Sequence, residues 1–194
     1  AIAKNLNILV EGTMRTASTP INTIHEAKTN GYRVEAFVIA ANYFASRVSC
    51  IERYERDRSE NGAGRSVPQQ AHDETYNNIP NTLQEIMNDN KIDNLRVVSR
   101  TGQLIADFRG GDNVVEKYTA YRDHISQALY NQIQAQIEST HNLINLRNEI
   151  TPAHNELLTL KNSLDLKMQE LSQDKLLSIS KDTSVNDVLK FFNN

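Results

Sequence analysis

The sequence predicts an α/β fold, a parallel sheet with flanking helices, followed by an α-helical hairpin extension. Three observations carry this. Val34 to Ala41 is almost wholly apolar (Val34, Ala36, Phe37, Val38, Ile39, Ala40, Ala41), and a strand without alternation reads as buried on both faces, as in a parallel sheet. A helical segment, Pro20 to Asn30, lies between this run and an earlier one, Asn5 to Val10, so strand, helix and strand follow in crossover order. The composition then changes at Arg109-Gly110-Gly111-Asp112: no glycine follows Gly111, and Pro152 is the sole later proline. The domain boundary is placed there, giving a first part of 1–109 and a hairpin extension of 110–194.

The elements follow in order. Asn5 to Val10 reads as the first strand, ending in Glu11-Gly12-Thr13-Met14-Arg15-Thr16. A buried strand that stops at an acid, a glycine and a hydroxyl delivers polar groups to the carboxyl edge of a sheet, where ligands bind. Pro20 to Asn30 is a helix that Ser18 or Thr19 can cap and Asn30-Gly31 stops. Tyr43 to Ser59 is a charged helix. Ser66 to Asn88 forms one or two helices, with Pro80 early in the second. Leu95 to Ser99 and Gln103 to Phe108 flank Arg100-Thr101-Gly102 as a hairpin or an extended edge.

Beyond the boundary, Val114, Tyr118, Tyr121, Ile125, Leu129, Ile133 and Ile137 recur at steps of three and four, one stripe on a helical run from Asp112 to Glu149. Thr151-Pro152 reads as a cap followed by proline at the first helical position. Leu157, Leu160, Leu164, Met168 and Leu171 make a second stripe, and the two runs pair as an antiparallel hairpin. Ser184 with Asp187 has the capping-box pattern for a last helix, Val185 to Phe192.

Composition narrows the function. The net charge of −3 over 194 residues gives no concentrated basic field for nucleic acid or an anionic membrane. No apolar run approaches the ~20 residues of a spanning helix, and no basic n-region precedes an apolar core at the start. One cysteine, Cys50, excludes an internal disulfide and fits a reducing compartment. Beginning at Ala1 rather than Met, the chain reads as a fragment or as one half of a split protein.

Several residues can carry chemistry. Glu11 can hold a metal-bound water or accept from a sugar hydroxyl, and Arg15 can grip a phosphate through two parallel donors; the alternative is a polar loop that caps the strand. Arg53 lies in Ile51-Glu52-Arg53-Tyr54-Glu55, where a solvated helix face is the plain reading. Arg65 lies in the glycine-rich Gly62-Ala63-Gly64-Arg65-Ser66, and such a loop can present a cation to a ligand. Two mobile arginines suit phosphoryl transfer, where charge spreads over the transferred group. His72 and Asp73 are adjacent, and neighbours on a helix do not face each other, so packing or loop bracing is expected of them. The other histidines are scattered without metal-ligand spacing. No G-x-x-x-x-G-K-[ST] run occurs.

Taken together, Val10-Glu11-Gly12-Thr13-Met14-Arg15-Thr16, Asn30-Gly31-Tyr32, Ile51-Glu52-Arg53-Tyr54-Glu55 and Gly64-Arg65-Ser66-Val67-Pro68-Gln69-Gln70-Ala71-His72-Asp73 resemble the zeta toxins, P-loop kinases of bacterial toxin–antitoxin systems. Asn78-Ile79-Pro80-Asn81-Thr82-Leu83 and Val98-Ser99-Arg100-Thr101-Gly102 continue the match, which covers about residues 5 to 108. The resemblance implies a partial P-loop-kinase-like sheet and transfer of the ATP γ-phosphate, with Mg2+, to a UDP-N-acetylglucosamine-type hydroxyl in the bacterial cytoplasm. It implies that Glu11, Thr13 and Arg15 bind the substrate, that Arg53 and Arg65 are catalytic lid arginines, and that His72 and Asp73 brace the lid helix. The family's phosphate loop and its general-base aspartate fall upstream of the first matching segment. The chain is therefore expected to be inactive alone and to hold no main site for ATP or metal. Expected partners are the UDP-sugar, an antitoxin or an N-terminal kinase segment, and another copy through the C-terminal helices. The alternative is a degenerate, non-catalytic interaction module assembling through those helices.

Overall fold

Parallel pairing of β1 (Glu35–Ala40) with β2 (Asn94–Ser99) organises the first half, in register from Glu35 opposite Asn94 to Ala40 opposite Ser99. The computed structural model describes residues 6–147 and 151–182; the expected helix Val185 to Phe192 lies outside them. β3 (Leu104–Asp107) returns antiparallel to β2 and completes a three-stranded sheet of order β1-β2-β3. Of the two readings open for this stretch the hairpin forms, with Gly102 at φ +83° in its turn, a conformation only glycine adopts freely. The α/β class holds, and the sheet is mixed rather than purely parallel.

Six helices accompany the sheet among the described residues: α1 (Ser18–Thr29), α2 (Tyr43–Asn61), α3 (Gln69–Asp89), α4 (Val114–Asp123), α5 (Gln127–Asn145) and α6 (Pro152–Asp182). No helix among the described residues is long and apolar enough to cross a membrane. Ala17 stands at the α1 N-cap without a side-chain bond, so neither Ser18 nor Thr19 caps it; Asn30 and Gly31, at φ +79°, end it as expected.

Two apolar cores result. The first joins Ile24 of α1, Val38 and Ala40 of β1, Leu83 and Ile86 of α3, Leu95 and Val97 of β2, Ala106 of β3, and Val114 and Tyr118 of α4. The second joins Ala45, Val48 and Ile51 of α2 to Ile133, Ile137 and Ile144 of α5 and Leu157, Leu160 and Leu164 of α6. Both draw residues from either side of Gly110. Each fully buried aliphatic side chain contributes ~1.5–3 kcal/mol, so the α5–α6 pair rests on α2 through much of its apolar stripe. α5 and α6 run antiparallel: Tyr130 Oη donates to Asp165 at 2.8 Å near one end, and the His141 and His154 rings meet at 4.5 Å near the other.

Three expectations are corrected. No strand forms over the described residues 6–10: Leu6, Ile8, Leu9 and Val10 are exposed, and the sheet has no ladder to them. A strand exists only with a partner for its N–H and C=O groups, and here the local tether is Tyr32 Oη donating to the Leu6 carbonyl at 3.1 Å. Second, β1 is buried on one face only. Val38 and Ala40 point into the core, whereas Phe37 and Ile39 are 58% and 60% exposed, because all the described helices packed on the sheet lie over the Val38 side. Third, the helical run after Asp112 is broken. α4 ends at Asp123, and Ser126 Oγ accepts from the Leu129 amide to start α5. The stripe looked continuous because Val114 and Tyr118 serve the first core and Ile125 onward the second.

Candidate functional site

Met14 turns the chain into the site. It is non-glycine at φ +56°, held there by Thr82 Oγ1 donating to its carbonyl at 3.0 Å. Asn78 Nδ2 donates to the next carbonyl, Arg15 O, at 2.7 Å. These two bonds from α3 pin the segment that leads into α1, and Arg15 comes to lie against α3. Its guanidinium forms an ion pair with Glu74, whose other oxygen accepts from Gln70 Nε2 at 2.9 Å. Arg15, Thr16, Glu74, Asn77, Asn78 and Asn81 line a shallow groove between the turn and α3. The groove offers one cation with donors beyond the one given to Glu74, a hydroxyl and three amides, a set that binds phosphate and hydroxyl oxygens.

Glu11 and Thr13 lie on the exposed approach to Met14, not at the edge of a buried strand. Arg53 stands exposed on α2, and Arg65 is exposed in the loop between α2 and α3; neither makes a hydrogen bond or ion pair to a described residue. Neither lines the Arg15 groove. The Arg15 groove thus lies at the middle of α3 and Arg65 before its first turn, with Arg53 apart on α2. From Gln69 to Asn78 is ~13 Å along the axis at 1.5 Å per residue.

The Arg65 loop is held from below. Gly62 ends α2 at φ +74°, its N–H bonded to the Arg58 carbonyl. A Cβ on Gly64 would sit 2.5 Å from the Tyr54 carbonyl oxygen, so the loop packs hard onto α2. Arg47, 3% exposed, donates from Nη1 to the Val67 carbonyl at 2.7 Å and makes a two-point pair with Glu156 of α6, the Nη2 bond being 2.8 Å. Burial pulls the Arg47 guanidinium down, and the Glu156 carboxylate reverses this and leaves it above its ordinary value.

His72 and Asp73 meet, contrary to the helix-neighbour expectation: Nδ1 lies 3.0 Å from Asp73 Oδ1. Both sit in the first turns of α3, where a short acid side chain reaches back to the ring. His72 Nε2 is 3.0 Å from Ser46 Oγ of α2, and its ring packs against Tyr43 and Tyr76, which also meet each other. Burial raises the phenols of Tyr43 and Tyr76, the first also through its bond to Asp73. This cluster ties α3 to α2.

Glu74, Asn77, Asn78 and Asn81 were missed as groove residues. The signal was present in Asn78-Ile79-Pro80-Asn81, whose asparagines three apart share one helix face. Among the described residues no group of three His, Cys, Asp or Glu side chains could hold a metal ion.

The family model described as Zeta toxin matches residues 1–110. Toxin zeta of Enterococcus hirae is 28% identical over 136 residues, 70% of this chain and 48% of that protein. Toxin PezT of Streptococcus pneumoniae serotype 4 is 25% identical over 127 residues, 65% of this chain and 48% of that protein. A solved structure from work on the PezAT chromosomal toxin–antitoxin system of Streptococcus pneumoniae superposes with a TM-score of 0.66 at 22% identity, covering 73% of this chain and 57% of that one. The chain spans about half the length of the curated relatives it matches. With more than half of its residues matched by the family model, the chain belongs to the zeta toxin family.

Proposed function

We propose that this chain carries the acceptor-substrate groove and the lid cations of a zeta-toxin kinase that moves the γ-phosphate of ATP to a hydroxyl of a UDP-N-acetylglucosamine-type sugar. The observation that carries the reading is the Arg15 groove. A guanidinium held by one carboxylate keeps donors for a diphosphate, and Thr16, Asn77, Asn78 and Asn81 supply donors and acceptors for ribose or sugar hydroxyls. Glu11 and Thr13 extend the substrate contacts along the approach. Arg53 and Arg65, free of described partners, supply the positive charge that a transferring phosphoryl group requires.

These residues bind and orient the acceptor and neutralise charge; they include no phosphate cradle. ATP with Mg2+ would supply the transferable phosphoryl group when bound by an N-terminal kinase segment. The 194-residue chain therefore binds the sugar nucleotide without turning it over, and it completes a site with an N-terminal kinase segment. Pairing with an antitoxin and residence in the bacterial cytoplasm belong to the same reading.

Calorimetric titration of the chain with UDP-N-acetylglucosamine tests it. Saturable binding is expected, weakened at least about tenfold by Arg15→Ala, the cost of ~1.4 kcal/mol of lost charge-assisted bonding. Absence of binding, or equal affinity in Arg15→Ala, overturns it. ATP-dependent phosphorylation of the sugar nucleotide by the isolated chain overturns the assignment of the nucleotide site elsewhere.

A further inference from the structure

The α5–α6 pair has no part in the groove, yet its first α6 turn reaches the Arg65 loop. The connection is one side chain. Arg47, buried in α2, spreads its guanidinium over two partners: both carboxylate oxygens of Glu156 on α6, and the carbonyl of Val67, two residues after Arg65. Lysine could not span this, having a single point charge in place of a planar fork. The same three elements enclose a cavity of about 240 Å³, lined by Arg47, Tyr54, Ser66, Val67, Thr151 and Glu156 among others. A second clamp holds the two long helices to α2: Arg147 pairs with the fully buried Glu55, and its Nη1 donates to the Glu55 carbonyl at 2.9 Å.

The loop itself needs such support. Gly62-Ala63-Gly64 gives it a wide choice of backbone conformations, and a cation aids phosphoryl transfer only where its position is fixed. Gly64 seated on the Tyr54 carbonyl fixes one side of Arg65, and Arg47 on the Val67 carbonyl fixes the other.

We propose that Glu156 is a positioning residue: through Arg47 it makes the C-terminal helices the support that sets the Arg65 loop. The hairpin is then a part of the catalytic architecture and not an appendage. That Arg65 acts on phosphate rests on the proposed function; that its loop is held from α6 does not, and the test reads the loop alone.

A nitroxide at position 66 (Ser66→Cys in a Cys50→Ser background) reports backbone freedom by its spectral line shape. The expected result is a restrained spectrum in the parent chain and a mobile one in Glu156→Gln, with the helix signal in the far ultraviolet retained. Leu164→Ala, which opens the same core without touching Arg47, is the control. It is expected to lower the melting temperature and leave the label restrained. If Glu156→Gln does not fold, Arg47→Lys replaces it with the same expectation. A label equally mobile in the parent chain, or equally restrained in the variant, overturns the proposal, as does equal mobilisation by Leu164→Ala. Failure of UDP-N-acetylglucosamine to bind overturns the function of the loop and leaves this result standing.

Discussion

Arg122 Nη1 donates to the Tyr76 carbonyl at 3.1 Å, and Tyr76 is the residue whose helical partner Pro80 cannot provide. Pro80 lies inside α3 and lacks the N–H that would close the bond four residues back. A guanidinium from α4 supplies that donor, and it also sits 4.5 Å from the centroid of the Tyr76 ring. This is why α3 runs unbroken through Pro80 where the sequence left one or two helices open.

Arg122→Ala leaves the Tyr76 carbonyl without its donor and is expected to destabilise the chain by about 2–3 kcal/mol, read as a lower urea midpoint. Pro80→Ala restores the main-chain donor. In the Pro80→Ala background, the Arg122→Ala loss should shrink by about 1 kcal/mol. Full additivity of the two substitutions would show that the arginine does not serve that carbonyl.

Arg15→Ala separates binding from folding. Both partners of the Arg15–Glu74 pair are well exposed, and an exposed pair contributes at most about 1 kcal/mol. The melting temperature should move little while affinity for the sugar nucleotide collapses. A large loss of stability would assign Arg15 a structural duty.

The two glycines of the Arg65 loop should respond differently to alanine. At Gly62 the added methyl meets open space, but φ is +74°, so the cost is backbone strain of about 1–2 kcal/mol. At Gly64 the methyl collides with the Tyr54 carbonyl oxygen, and the loop must lift. A label at position 66 should be mobilised by Gly64→Ala and unaffected by Gly62→Ala. The reverse order would contradict the seating of Gly64.

The carboxyls around the β2–β3 hairpin set an acid limit. The Arg96 guanidinium holds Asp107 below the ordinary aspartate value of 3.8, and Lys28 with the Val34 amide does so for Asp93. A depressed folded value means stability that is full above the ordinary value and lost as the pH falls through the folded one. Unfolding midpoints should therefore be flat above pH ~5 and drop from about pH 4 downward. Asp107→Asn should make that drop shallower; an unchanged acid profile would contradict the Arg96 assignment.

β1, the β2 and β3 segments and most of the helices were legible, because apolar periodicity and Asn-Gly or Gly stops act locally, while hairpin and extended edge stayed open for β2 and β3. The sequence misled where one pattern served two masters. The stripe from Val114 to Ile137 kept its spacing across Ser126 although two cores share it. The run Leu6 to Val10 has strand composition, but composition supplies no ladder partner. Phe37 and Ile39 are apolar and exposed, so the unbroken run in β1 could not say which face was covered. The family motifs pointed to Glu11, Thr13, Arg15, Arg53 and Arg65, and of these the groove on α3 holds Arg15. They gave no sign of the Glu156–Arg47–Val67 chain, since an ion pair 109 residues apart leaves no local pattern.

The turn at Met14-Arg15 and the middle of α3 are the proposed seat of a sugar nucleotide. Amide chemical-shift mapping on the isotope-labelled chain tests it most directly. Addition of UDP-N-acetylglucosamine should shift residues 11–16 and 74–82, with smaller changes in 62–68, and the first set should fall silent in Arg15→Ala. Shifts confined to α5 and α6, or none at saturating ligand, would contradict the account.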